Sequence, residues 1–170
     1  MQLEKAQLYS LDGDEYNFDF MFNPNELSIT RRANVNENQG ARTTKGLPKV
    51  SFAYPNAAII KISNIIIDTY EKPEKNGRNS TQGQQQPRER DVGNEIAKLT
   101  RTIKFVSNQS LNRPPLYIFI WGDINYLNCY VESLDYKLSL FLPDGTPVRA
   151  KASITLKEVD PNLEEQNPPP

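Results

Sequence analysis

The stretch Val148-Arg149-Ala150-Lys151-Ala152-Ser153-Ile154-Thr155-Leu156-Lys157 alternates apolar and polar residues without a break. A period of two places one set of side chains on each face of a strand, so this segment has one dry side and one wet side. Upstream, Leu134, Tyr136, Leu138, Leu140 and Leu142 are apolar at even positions, whereas Leu127, Cys129 and Val131 are apolar at odd ones. An extra residue near Glu132-Ser133 would flip the alternation in this way, as β-bulges do. Residues 126–142 therefore read as one long, bent strand. Asp144-Gly145, flanked by Pro143 and Pro147, supplies the turn into the next strand.

Working outward, Tyr16, Phe18, Phe20 and Phe22 share one face against Asn17 and Asp19 on the other, and Asn23-Pro24 marks a turn after them. Further strands are expected at 2–11, 26–35, 49–54, 57–69 and 115–121. The last two are apolar on both faces, with Ile59, Ile60, Ile62, Ile65, Ile66 and Ile67 in one and LYIFIW in the other. A strand wet on one side alternates, so these two are expected to be covered on both sides, by a helix or by another subunit.

Val92, Ile96, Leu99, Ile103 and Val106 recur at steps of four and three, which is helical spacing. With Asp91 as N-cap and Glu95 at the positive end of the dipole, one helix is expected over about 91–107, ended before Arg113-Pro114-Pro115. Residues 71–91 contain no apolar residue and 36–46 only Ala41, so both read as long polar loops. The expected organisation is a mainly β domain over 1–158 and a free acidic, proline-rich tail over 159–170.

At 170 residues the chain is long enough to bury a real core. Lys+Arg 20 against Asp+Glu 21 gives a net charge of −1, and mean hydropathy is −0.65. That balance offers no long-range field to gather nucleic acid or an anionic membrane. With no histidine, Ser-His-Asp and Cys-His catalysis and His-ligated metals are excluded. A single cysteine, Cys129, excludes an internal disulfide and a Cys-based zinc site, and reads as a small core hydrophobe. The amino-terminal residues lack the apolar core of a signal peptide, and no apolar stretch reaches spanning length, so synthesis in the cytoplasm without membrane insertion is expected.

The search for chemistry is mostly negative. No phosphate-binding glycine motif is present. Asp12-Gly13-Asp14 resembles the start of a calcium loop, yet Asn17 stands where that loop needs glycine, so a hairpin turn is the stronger reading. Asp68, Asp123 and Asp135 are the candidates for acid–base work, and nothing in the sequence brings two together. Arg31, Arg32, Arg42, Lys45 and Lys49 form a modest basic cluster, but the aromatics Phe18, Phe20 and Phe52 read as core-facing, against a nucleic-acid surface. No catalytic residue, metal site or cofactor is expected.

Five stretches in order carry a resemblance: FMFNPNEL at 20–27, GLPKVSF at 46–52, IIIDTYE at 65–71, RPPLYIFIWG at 113–122, and SLFLPDGTPVRAKASITLKE at 139–158. Together they resemble the tube-like domain of contractile injection system baseplate and tube-initiator proteins, over nearly all of residues 2–158. The resemblance implies a tail-tube fold, an antiparallel β-barrel or sandwich with a flanking helix, and six copies in a ring. That ring would lie between a trimeric spike-hub protein and the stacked inner tube protein and touch baseplate wedge proteins. The particle would be free, membrane-anchored or released. Many relatives continue into a LysM module after the last strand, which has no counterpart in these 170 residues.

Within that frame the expected interface residues are Arg31, Arg32, Arg42, Lys45, Arg113, Trp121 and Arg149, with Trp121 and Phe141 as packing residues. Asn23, Pro24, Asp144, Gly145 and Pro147 are expected to set turns. A competing reading is a monomeric β-barrel that binds oligonucleotides or glycans; particle mass and a mobility-shift assay separate the two.

Overall fold

The structure is a computed structural model that describes residues 3–70, 92–105 and 112–161. Its strands are β1 (Ala6–Ser10), β2 (Phe18–Asp19), β3 (Ser28–Thr30), β4 (Ala33–Arg42), β5 (Pro48–Pro55), β6 (Ile59–Asp68), β7 (Leu116–Trp121), β8 (Ile124–Phe141) and β9 (Pro147–Glu158), with helix α1 (Gly93–Arg101) between β6 and β7. Seven strands form one curled antiparallel sheet, a half-barrel in the order β2-β1-β7-β8-β9-β6-β3, while β4 and β5 make a separate hairpin. The chain is mainly β with one helix, as the period-two segments predict.

β9 behaves as its alternation dictates: Val148, Ala150, Ala152, Ile154 and Leu156 are all buried. Register carries this face across the sheet, pairing Leu156 with Ile60 and Ile154 with Ile62 on β6, and Leu156 with Val131 on β8. On the other side Phe119 of β7 lies between Leu127 of β8 and Leu8 of β1. Val92, Ile96 and Leu99 of the helix and Phe18 and Phe20 complete the same core. Cys129 sits within it, and burial pushes its thiol up to about 12, so it stays a protonated hydrophobe.

The predicted bulge in β8 is present, with the register shifting between Val131 and Ser133. A second bulge, unforeseen, lies in β6 between Ile62 and Ile65, where Asn64 adopts φ 57°. Asn tolerates this left-handed conformation better than β-branched residues do. The bulge puts Ile60, Ile62, Ile65 and Ile67 on one buried face, so much of the run's apparent two-faced apolarity is alternation interrupted once. Ile59 and Ile66, and Ile118 and Ile120 of β7, are half-buried on the outer face.

Other expectations need correction. Residues 36–46 are no loop: β4 runs through Arg42 and a tight turn leads to β5. The strand is invisible to periodicity because the hairpin buries neither face among its described side chains. The expected strand 26–35 is split, with Arg31-Arg32 between β3 and β4. Residues 16–22 hold a 3₁₀ turn (Asp14–Tyr16) and the two-residue β2, and Phe22 is exposed on the bend that follows. The helix ends at Arg101 because Thr102 returns its N–H and hydroxyl to Leu99 O, tightening the last turn. Asp91, Val106, the 71–91 segment and residues 162–170 lie outside the described residues.

Asn23 accepts from Ala6 N–H at 3.0 Å and donates to Glu4 O at 2.8 Å, fastening the bend before Pro24 to β1. Between β8 and β9, Gly145 takes φ 86°, and Asp144 Oδ1 accepts from Thr146 N–H at 2.9 Å. Pro147 opens β9, where a missing N–H costs least.

Candidate assembly surface

The β4–β5 hairpin is amphipathic by register. Val35 stands opposite Phe52 and Glu37 opposite Val50 on one face, with Asn36–Ser51 and Asn38–Lys49 on the other. Tyr54 lies beyond Phe52, where the register shifts between the Val35–Phe52 and Ala33–Pro55 pairs. Phe52 is 76% and Tyr54 87% exposed, and Val35, Val50 and Leu47 are exposed too. The tip is held by Thr43, whose N–H donates to Leu47 O at 2.8 Å and whose hydroxyl accepts from Leu47 N–H at 3.2 Å. Neither strand is hydrogen-bonded into the main sheet. A lone two-stranded hairpin is marginal in water, so an apolar face left bare on one marks a contact surface.

A second bare surface lies on distal β8. β7 pairs with β8 only over Ile124–Tyr130, so from Val131 onward one edge of β8 lacks a neighbour among the described residues. On the core side of this extension Tyr136 faces Ala152 and Leu138 faces Ala150; the alanines are buried while Tyr136, Leu138 and Leu140 are exposed. Phe141, expected to pack, is 57% exposed. Leu140 adopts φ 55°, a conformation that costs an ordinary L-residue roughly 1–2 kcal/mol. The alternation from Leu134 onward was readable, but only Leu134 reaches the chain's own core.

Two ion pairs brace the sheet rather than face a free surface. Arg113 grips Asp12 with two nitrogens at 2.8 and 2.9 Å, and Asp12 also accepts from Leu116 N–H at 2.7 Å. Burial alone would raise the Asp12 carboxyl, but the Arg113 and Leu116 hydrogen bonds outweigh it and hold the group below the usual carboxylate range. Arg149 on β9 donates through Nε to Asp68 on β6 at 2.8 Å. The Tyr70 N–H is the main cause of the lowered Asp68 pKa, assisted by Arg149. Trp121 is half-buried against the core.

Arg31, Arg32, Arg42 and Lys45 are exposed along the hairpin and its root. Arg31 and Arg32 line a cleft of about 830 Å³ with Asn128, Glu158 and Pro161. Of the acid–base candidates, Asp68 is engaged by Arg149 and Asp123 and Asp135 are exposed. Among the described residues no group of three or more Asp, Glu, Cys or His side chains could hold a metal ion, and no helix is long and apolar enough to cross a membrane. Asp12, the first residue of the calcium-loop look-alike, is spent on Arg113 and Leu116.

The described residues form a curled antiparallel half-barrel beside a hairpin with an exposed apolar face, the class of architecture a tube component has. The chain belongs to the contractile injection system tube protein family, whose family model matches residues 2–167. No curated protein matches it.

Proposed function

We propose that six copies of this chain close a ring at the start of the inner tube of a contractile injection system. The ring lies between the spike hub and the stacked tube protein, within reach of baseplate wedge components, and its role is structural and not enzymatic. Family membership supports a tube-type component of such a system. The single observation that favours a ring is the pair of unlike bare surfaces on one chain, the hairpin face and distal β8, because cyclic assembly requires two different complementary patches. On this reading Arg31, Arg32, Arg42 and Lys45 make polar contacts at ring or layer junctions. Arg113, Trp121 and Arg149 act from beneath, by fixing the strands that carry the contacts.

Light scattering on the purified chain tests this. A species of about six times the 19.4 kDa chain mass is expected, alone or once hub or tube protein is added. A second reading has its own observation: Phe52, assigned to the core from sequence, is exposed with Tyr54 beside Lys49, an aromatic-and-basic surface suited to stacking on single-stranded nucleic acid. A persistent monomer that retards single-stranded DNA on a gel would favour that reading over the ring.

A further inference from the structure

Resting on the ring reading, we infer that the joint between neighbours is made by the β4–β5 hairpin of one copy docking on the open edge of distal β8 in the next. Four observations converge on this pairing. First, among the described residues β8 beyond Tyr130 has an unpaired strand edge, and an edge of that kind is completed by a strand from elsewhere. The open stretch, Glu132–Phe141, is long enough to take β5 (Pro48–Pro55) along its whole length.

Second, the faces match. Tyr136 and Leu138 are exposed on one side of the acceptor, and Val35, Val50 and Phe52 are exposed on one side of the donor. Strand addition that puts these on the same side buries both sets against each other. Third, the charges match. Segment 31–55 has five basic residues against the single acidic Glu37, whereas 131–146 carries Asp135 and Asp144 against the single basic Lys137, with Glu132 already paired to Lys157 of β9. Like patches repel and unlike ones steer, so the basic hairpin is drawn to the acidic edge and away from its own counterpart. Fourth, the left-handed Leu140 is an exposed apolar residue in a costly conformation, an arrangement that brings no benefit until something covers it.

The other open edge, Ile62–Asp68 of β6, is the weaker acceptor. Its outward side chains include Ser63 and Asn64, its isoleucines are buried or half-buried, and Asp68 is already engaged by Arg149. A contact between two different patches is head-to-tail, and such contacts close into rings when the rotation permits.

Two single substitutions test the joint, Phe52→Asp on the donor and Leu138→Asp on the acceptor. Both sites are exposed in the isolated chain, so each variant is expected to keep the wild-type far-ultraviolet circular dichroism and a melting temperature within about 2 °C. Each alone is expected to run as a monomer. Mixed in equal amounts they are expected to form a one-to-one dimer and stop, because Leu138→Asp still offers a hairpin and Phe52→Asp still offers an edge. A variant that retains the wild-type ring mass, or a mixture that stays monomeric, overturns the joint while leaving the ring reading in place. A wild-type chain that forms no ring by itself or with hub or tube protein overturns both. If either Asp variant loses its fold, Phe52→Ser and Leu138→Ser replace them in the same assay.

Discussion

Phe119→Ala is expected to destabilise the isolated chain by about 3–5 kcal/mol, the range for removing a fully buried aromatic ring. Phe119 is 0% exposed, and its ring centroid lies 6.2 Å from Phe20 and 5.3 Å from Tyr126. It sits where β1, β7 and β8 meet, so the cavity would open beneath three strands at once. Domain stabilities of about 5–15 kcal/mol make such a loss a large fraction of the total. At roughly 2–4 °C per kcal/mol for a chain of this size, the melting temperature should fall by about 6–20 °C, read by calorimetry or circular dichroism. Phe119→Leu should recover much of it. A fall below about 2 °C for the alanine variant would show that the core is not centred there.

Asp12→Asn is expected to cost about 2–3 kcal/mol at neutral pH, as the loss of a paired, largely buried charge does when its partner stays behind. The side chains of Asp12 and Arg113 are only 12% and 23% exposed, and among the described residues Arg113 Nε has no hydrogen-bond partner even with Asp12 intact. Asn keeps an acceptor for Leu116 N–H and loses the charge that Arg113 requires. The pH dependence follows from the direction of the shift. The folded Asp12 carboxyl is held below its ordinary value of 3.8, so its stabilising effect is complete above that value and fades as pH falls through the lower folded one. The gap between wild type and Asp12→Asn in chemical denaturation should be largest near neutrality and shrink in acid below about pH 4. A gap constant down to pH 2 would place the stabilising effect elsewhere.

Much of the main sheet was legible in the sequence because burial inside one chain writes alternation into it. β9 and the bulge in β8 follow directly from which positions are apolar. The β6 bulge was missed because a run of isoleucines has no polar marker to reveal a parity change; Asn64, an amide residue inside an apolar run, was the available signal. The hairpin was half legible. Residues 49–54 alternate, but β4 holds mostly polar residues and buries none of those whose burial is described, so composition favoured a loop. Helix spacing continues to Ile103, which half-buries against the core outside the helix, so periodicity overshot the end.

The assembly surface was harder to read for a physical reason. A period-two pattern states that one face of a strand is dry, not which molecule dries it. Phe52 and Phe141 read as core residues and are exposed in the single chain, as Leu138 is. Arg113 and Arg149 read as outward contacts and instead bind Asp12 and Asp68 of their own chain. Their long-range partners, more than 80 residues away in sequence, carry no local signal.

Electron cryo-microscopy of the intact injection particle, with this chain located in its axial density, tests the central claim most directly. Six copies in one closed layer at the head of the inner tube, each hairpin resting on its neighbour, is the result expected. Particles that lack this chain, or hold it as separated copies away from the axis, would contradict the account.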